Sequence, residues 1–67
     1  MGEDVMFPDL QAIGTLRGIV DASQEAAREG DEERLSLARS LFEDYANAAQ
    51  YVGVKPSEIQ TLRGQLA

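Results

Sequence analysis

Apolar side chains recur at helical spacing in three stretches of the chain, and no stretch alternates apolar and polar residues as a β-strand does. The apolar positions of the first stretch are Leu10, Ile13, Leu16, Val20 and Ala27. Those of the second step by three and four residues, at Leu35, Ala38, Phe42, Tyr45, Ala49 and Val52. Those of the third are Ile59, Leu62 and Leu66. The pattern predicts an all-α fold with three helices.

Local signals set the ends of the first two predicted helices. Pro8 suits the first turn of a helix and Gly30 suits the left-handed residue that closes one, which predicts helix one at about 8–29. Asp31 is placed to cap the next helix, predicted at about 31–52. Because the connection between them is short, we expect an antiparallel helical hairpin.

A short third helix is predicted at about 56–66. Gly53 ends the second helix, and Pro56 is suited to begin the next one. A helix of this length is marginal by itself, so we expect it to pack on the hairpin near Val52.

The small size of the chain limits how stable it can be alone. Its 67 residues form one predicted three-helix domain, 1–67, in which 1–7 is a flexible N-terminal segment. A domain of this size buries only about 60% of the surface that its unfolded chain exposes. It has no cysteine for a disulfide and no histidine to bind a metal. We therefore expect it to associate with another protein or with itself, as a homo-oligomer.

The composition excludes several kinds of chemistry. Without histidine or cysteine there is no thiolate–imidazole pair and no Ser-His-Asp triad, so we predict neither catalytic residues nor an enzyme. The acidic runs 31–33 and 43–44 place adjacent carboxylates about 100° apart on a helix, so we predict no metal site and no cofactor. No apolar stretch is long enough for a membrane span or a signal peptide, which predicts a soluble cytoplasmic protein with no membrane contact.

The last third of the chain, about 45–66, carries a pattern of small and apolar residues around a glycine. Its sequence is AAQYVGVKPSEIQTLRGQL from residue 48 onwards. Ala49 is a small residue where two helices approach closely, and Gly53 permits a sharp turn four residues later. Apolar residues flank the glycine and recur on the following helix, at Val52, Val54, Ile59 and Leu62. This segment resembles the helix-turn-helix motif of DNA-binding domains.

The resemblance implies an alternative function, a DNA-binding transcriptional regulator that acts as a dimer. The groove-facing positions would be Lys55, Ser57, Gln60, Thr61 and Arg63. Two helices joined by a glycine turn also occur as plain packing units. Residues 1–44 carry 4 basic and 11 acidic groups, net −7, whereas 45–67 carry two basic and one acidic group, net +1. So few cations near the motif predict poor DNA binding by a lone monomer.

Helix one carries the features that favour a protein-binding function. Gly14 and Gly18 have the small-xxx-small spacing that lets helices approach closely. Ile19, with Ala12 and Ala26, widens the apolar face beyond what one neighbouring helix needs.

On helix two, Tyr45 is expected in the core and Tyr51 outside it, where an aromatic side chain can anchor a partner. The predicted interaction residues are Gly14, Gly18, Ile19 and Tyr51. The first functional hypothesis is a small acidic helical module that binds proteins, as an adaptor, inhibitor or assembly subunit.

Overall fold

The computed structural model describes residues 8–67, and that part of the chain is all helical. Its helices are α1 (Pro8–Glu29), α2 (Glu32–Tyr51) and α3 (Pro56–Arg63). The two long helices pack against each other as a hairpin, and the short third helix contacts both. The predicted all-α hairpin with a third helix is therefore confirmed, while the flexible segment predicted for 1–7 lies outside the described residues.

The hairpin turn is built by the residues that the sequence places there. Gly30 has a positive φ of 72°, and its N–H donates to the carbonyl oxygen of Ala27 at 3.2 Å. The Asp31 side chain accepts a hydrogen bond from the backbone N–H of Arg34 at 3.1 Å. Asp31 is thus the N-cap of α2, which begins one residue later than predicted because a cap lies outside the helix.

The second turn depends on Gly53, whose φ of 102° lies in the left-handed region. The chain reverses tightly there, since the N–H of Val54 donates to the carbonyl oxygen of Ala49 at 3.1 Å. α3 begins at Pro56 as predicted but ends at Arg63, three residues before the predicted end at 66.

The residues after α3 leave the helix and bind the middle of the hairpin. The backbone N–H of Ala67 donates to the Ser23 hydroxyl at 3.2 Å, and its carbonyl oxygen accepts from Arg39 at 2.9 Å. The Gln24 amide donates to the carbonyl oxygen of Gln65 at 2.9 Å. The N–H groups of Gln65 and Leu66 bond to the carbonyl oxygens of Leu62 and Arg63, three residues back, so the chain tightens into a turn after α3 before it meets the hairpin.

The core lies between the three helices. It is formed by Leu16, Val20, Phe42, Ala46, Ala49, Val54, Ile59 and Leu62, and Ala12, Ile13, Ile19 and Leu66 pack against it. Its largest fully buried side chains are Phe42 and Leu16. The buried Ser23 donates its hydroxyl to the carbonyl oxygen of Val20 at 2.7 Å, so this polar group has a partner in the core.

Several residues predicted for the core are exposed instead. Leu10, Tyr45, Val52 and Ala27 are exposed, and Ala26 is buried in place of its neighbour. Tyr45 and Val52 fit the heptad spacing, but α3 packs on the opposite flank of α2, where Arg63 meets Glu43. The buried side of α2 therefore faces α1 and α3, and the side that carries Tyr45 and Val52 is left exposed.

Candidate protein-interaction face

A row of large apolar side chains remains exposed along α2. Its members and their exposed fractions are Leu37 (59%), Leu41 (37%), Tyr45 (47%) and Val52 (43%). The exposed Ala48 lies in the same row. Viewed down the helix, these five positions fall within about 80° of arc, because they are spaced by three or four residues. They form one continuous apolar strip rather than scattered surface residues.

The strip on α2 borders a row of smaller residues on α1. Ala12 and Thr15 line a shallow groove together with Tyr45, Ala48 and Val52. Four and seven residues beyond Thr15, the half-buried Ile19 and the exposed Ala22 continue the α1 row. We call this two-helix surface the open face. It consists of Ala12, Thr15, Ile19 and Ala22 on α1, of Leu37, Leu41, Tyr45 and Ala48 on α2, and of Val52, the residue that caps the end of α2.

The open face contains no charged side chain, although the chain has a net charge of −6. On α1, Arg17 and Asp21 lie on the other side, in a groove shared with α3. On α2, Glu43 accepts hydrogen bonds from Arg63 of α3, and Arg39 donates to the carbonyl oxygen of Ala67, beyond the end of α3. These charged groups are turned towards α3. Two others border the open face: Asp44 lies along its outer edge, three residues after Leu41, and Arg34, paired with Glu29 at 2.8 Å, lies at its hairpin-turn end.

The structure separates the interaction residues predicted from the sequence. Ile19 belongs to the open face, although it is half-buried and packs against the core. Tyr51 is 93% exposed, but it lies outside the open face beside Asn47 and Gln50. Gly14 and Gly18 are exposed, and a side chain built at either position would meet no atom within 4 Å. Their spacing therefore brings no other helix close within residues 8–67.

The breadth of the apolar face of α1 has an explanation inside the chain. Ala26 is fully buried, and Ala12 and Ile19 pack against the core. The apolar face of α1 serves more than one neighbouring helix, since α1 contacts both α2 and α3. The signal that sequence reasoning passed over is the series Leu37, Leu41 and Tyr45, in which large apolar residues recur every fourth position on α2.

The segment that resembles a helix-turn-helix motif has a well-packed interior. Ala49, Val54, Ile59 and Leu62 are buried on both sides of the Gly53 turn, whereas Val52 belongs to the open face. These contacts hold α3 against the hairpin.

The residues assigned to DNA contact under the alternative hypothesis lie in different environments. Nε and Nη2 of Arg63 donate to the two oxygens of the Glu43 carboxylate, each at 2.9 Å, and this hydrogen bonding raises the pKa of Arg63 above its ordinary value. Ser57 and Thr61 line the groove against α1, and the Thr61 hydroxyl donates to the carbonyl oxygen of Ser57 at 3.0 Å. Lys55 and Gln60 are exposed.

The groove between α1 and α3 presents charges of both signs. Arg17 lies there with the carboxylates of Asp21 and Glu58, above a floor that includes Ile13 and Leu62. Carboxylates at this position repel a phosphate backbone. Since Arg63 is already paired with Glu43, the cations of α3 are poorly placed to neutralise phosphates.

Within 8–67, no three carboxylates lie close enough together to bind one metal ion. None of the three helices is both long enough and apolar enough to cross a bilayer. Comparison of the chain with protein-family models, curated protein sequences and solved structures finds no match.

Proposed function

We propose that this chain is a small acidic module that binds proteins through the open face, in the manner of an adaptor, inhibitor or assembly subunit. The observation that carries the proposal is the uncharged strip of Leu37, Leu41, Tyr45 and Val52, exposed along one side of α2. Water contact with such a strip is unfavourable by about 25 cal/mol per Å² of apolar surface, so a protein that covers it gains free energy.

The position of the strip also favours a docking function. Interface centres are poor in charged residues and rich in aromatic ones, and the open face has no charge and places Tyr45 in the middle of its larger row. It lies on two long helices that pack along each other rather than on a loop. A surface on rigid elements loses little conformational entropy when a partner binds.

A charge placed in the open face is the direct test. We expect Leu41→Glu to abolish partner capture by the tagged full chain in the cells that make it, because a carboxylate would be buried without a counter-ion. Ser40→Glu is the matched control, since Ser40 is the exposed neighbour on the outer side of α2 and the charge change is equal. Quantitative mass spectrometry should find proteins, or untagged copies of the chain, that Ser40→Glu retains and Leu41→Glu loses. Equal capture by both variants would remove the open face as the docking surface.

A second proposal, DNA binding through α3, is favoured by the sharp turn at Gly53 between buried Ala49 and Val54. Its test is selection from a random-sequence duplex library by the full chain at low salt, where phosphate contacts are strongest. The proposal requires enrichment of one sequence and loss of that enrichment in Gln60→Ala, whose side chain is exposed on α3. If no duplex is enriched, the DNA-binding proposal is wrong.

A further inference from the structure

We infer that the occupant of the open face is a second copy of this chain, so that two hairpins form a symmetric four-helix bundle. The inference rests on the proposed function, since it names the protein that the open face binds. It is carried by the shape, the charge and the size of that face.

The two rows of the open face differ in how far their side chains protrude, with a high row on α2 and a low row on α1. On α2 the row consists mainly of large side chains, Leu37, Leu41 and Tyr45 among them. On α1 the exposed members are the small residues Thr15 and Ala22. A two-fold axis parallel to the helices, lying above the open face midway between its two rows, places the high row of each copy over the low row of the other. The surface is therefore complementary to itself, as a symmetric dimer interface requires.

The same axis gives an ordinary helix arrangement. Because α1 and α2 are antiparallel within one chain, α2 of each copy also runs antiparallel to α1 of the other. Every helix in the resulting four-helix bundle is then antiparallel to its neighbours, as in up-down-up-down bundles. α3 lies on the opposite side of each hairpin, where Arg63 contacts Glu43, so it does not obstruct the second copy.

Charge distinguishes a second copy from a strongly basic partner. Two copies with a net charge of −6 repel each other unless the contact itself is free of carboxylates. The residues of the open face include no carboxylate, Asp44 lies at its outer edge where water can solvate it, and Asp21 and Glu58 face the groove on the α3 side. A basic partner would be recognised by a surface that carries carboxylates, and the open face has none.

The area fits a weak dimer. At 1.5 Å per residue the α2 row is about 22 Å long and the α1 row about 15 Å, and two helices present a width of about 20 Å. Each copy therefore contributes roughly 370 Å², and the total of roughly 740 Å² lies below the limit of about 1,000 Å² for stable specific interfaces. We expect a dimer that dissociates in the micromolar range rather than an obligate one.

Sedimentation velocity of the purified full chain, from about 1 µM to 1 mM, tests the occupant directly. We expect a shift towards twice the 7.3 kDa of one chain as the concentration rises. Leu37→Glu should weaken the dimer about tenfold or more, whereas Ser36→Glu should not. Both positions are exposed on α2, one inside the open face and the other outside it, so neither change removes a core side chain.

Cysteine pairing tests the arrangement of the two copies. Thr15 and Tyr45 lie level with each other because they line the same groove, and the proposed axis brings Tyr45 of one copy to Thr15 of the other. Since the chain has no cysteine, Thr15→Cys and Tyr45→Cys proteins can be mixed and oxidised. We expect the mixed disulfide to exceed its statistical share, as read by intact mass spectrometry. A statistical share, or an excess of either identical pair, overturns the arrangement.

The results separate this inference from the proposed function. The inference that a second copy occupies the open face is overturned if the protein is a monomer at every concentration. It is also overturned if Leu37→Glu leaves the dimer intact. If Leu41→Glu nevertheless loses captured proteins that Ser40→Glu retains, the open face still binds proteins and its partner is a different chain. If both experiments fail, the proposed function fails with the inference.

Discussion

Replacing Phe42 with alanine is expected to lower the free energy of unfolding by about 3–5 kcal/mol, the usual cost of removing a buried aromatic side chain. At about 0.05–0.15 kcal/mol per residue, a chain of 67 residues has roughly 3–10 kcal/mol of stability in total. The substitution therefore removes about a third or more of the stability, and it leaves the protein largely unfolded at room temperature only if the total lies at the lower end of that range.

The size of this effect follows from where Phe42 lies. Its side chain is completely buried, and it shares the core with Leu16 on α1 and Ile59 on α3. The Arg63 guanidinium carbon lies 5.7 Å from the centre of the ring, which is within reach of a cation–π contact. Alanine would leave a cavity next to all three helices, and it would remove the ring on which Arg63 rests.

Urea unfolding followed by far-ultraviolet circular dichroism measures this loss. Protein concentration must be equal for all variants, because association contributes to the apparent stability. Tyr51→Ala is the control, since that aromatic side chain is 93% exposed and its removal should change the free energy of unfolding by less than about 0.5 kcal/mol. A loss below about 1 kcal/mol for Phe42→Ala would contradict its place at the centre of the core.

The helices could be predicted from the sequence because the signals that bound them are local. Pro8, Gly30 and Asp31 act on the backbone within a few residues of themselves, and the bounds that they predict agree with the structure to within one residue. The end of α3 could not be predicted in this way. The chain tightens into a turn there, and the residue that follows the turn, Ala67, binds the distant Ser23 and Arg39.

The sequence pattern also could not predict which side of α2 faces the core. Tyr45 fits the heptad series as well as Phe42 does, yet one is half exposed and the other completely buried. The difference arises from the flank on which α3 packs, which depends on contacts between residues far apart in the chain. From the sequence, the open face is visible only as more apolar positions on α2 than one neighbouring helix needs, Leu41 among them. The sequence does not show which of these positions another helix covers.

Arg63 illustrates the same limit for a charged residue. Its position after the Gly53 turn suggests a contact with DNA, and nothing nearby in the sequence predicts an ion pair. The structure pairs it with Glu43, twenty residues earlier, through two hydrogen bonds of 2.9 Å. Charge counts along the sequence assign this cation to the basic end of the chain, whereas its carboxylate partner comes from the acidic part.

Replacing Ile59 with alanine is expected to release α3 from the hairpin. The helix has eight residues and cannot persist alone in water, so its structure depends on the side chains that it buries. Ile59 and Leu62 are the buried residues of α3, and Ile59 is only 2% exposed. We expect a loss of about 2–5 kcal/mol, the range for isoleucine-to-alanine substitutions in a core.

Hydrogen exchange of the α3 backbone amides, together with urea unfolding, measures this loss. Gln60→Ala is the matched control, because Gln60 is the exposed neighbour on the same helix and alanine is a good helix former. If α3 is held mainly by Ile59, its amides in Ile59→Ala should exchange faster than those in the middle of α1 and α2. Faster exchange to the same extent in all three helices would show that α3 unfolds only with the whole domain. Unchanged exchange in α3 would contradict the packing of Ile59, since no other contact of this short helix buries a side chain as completely.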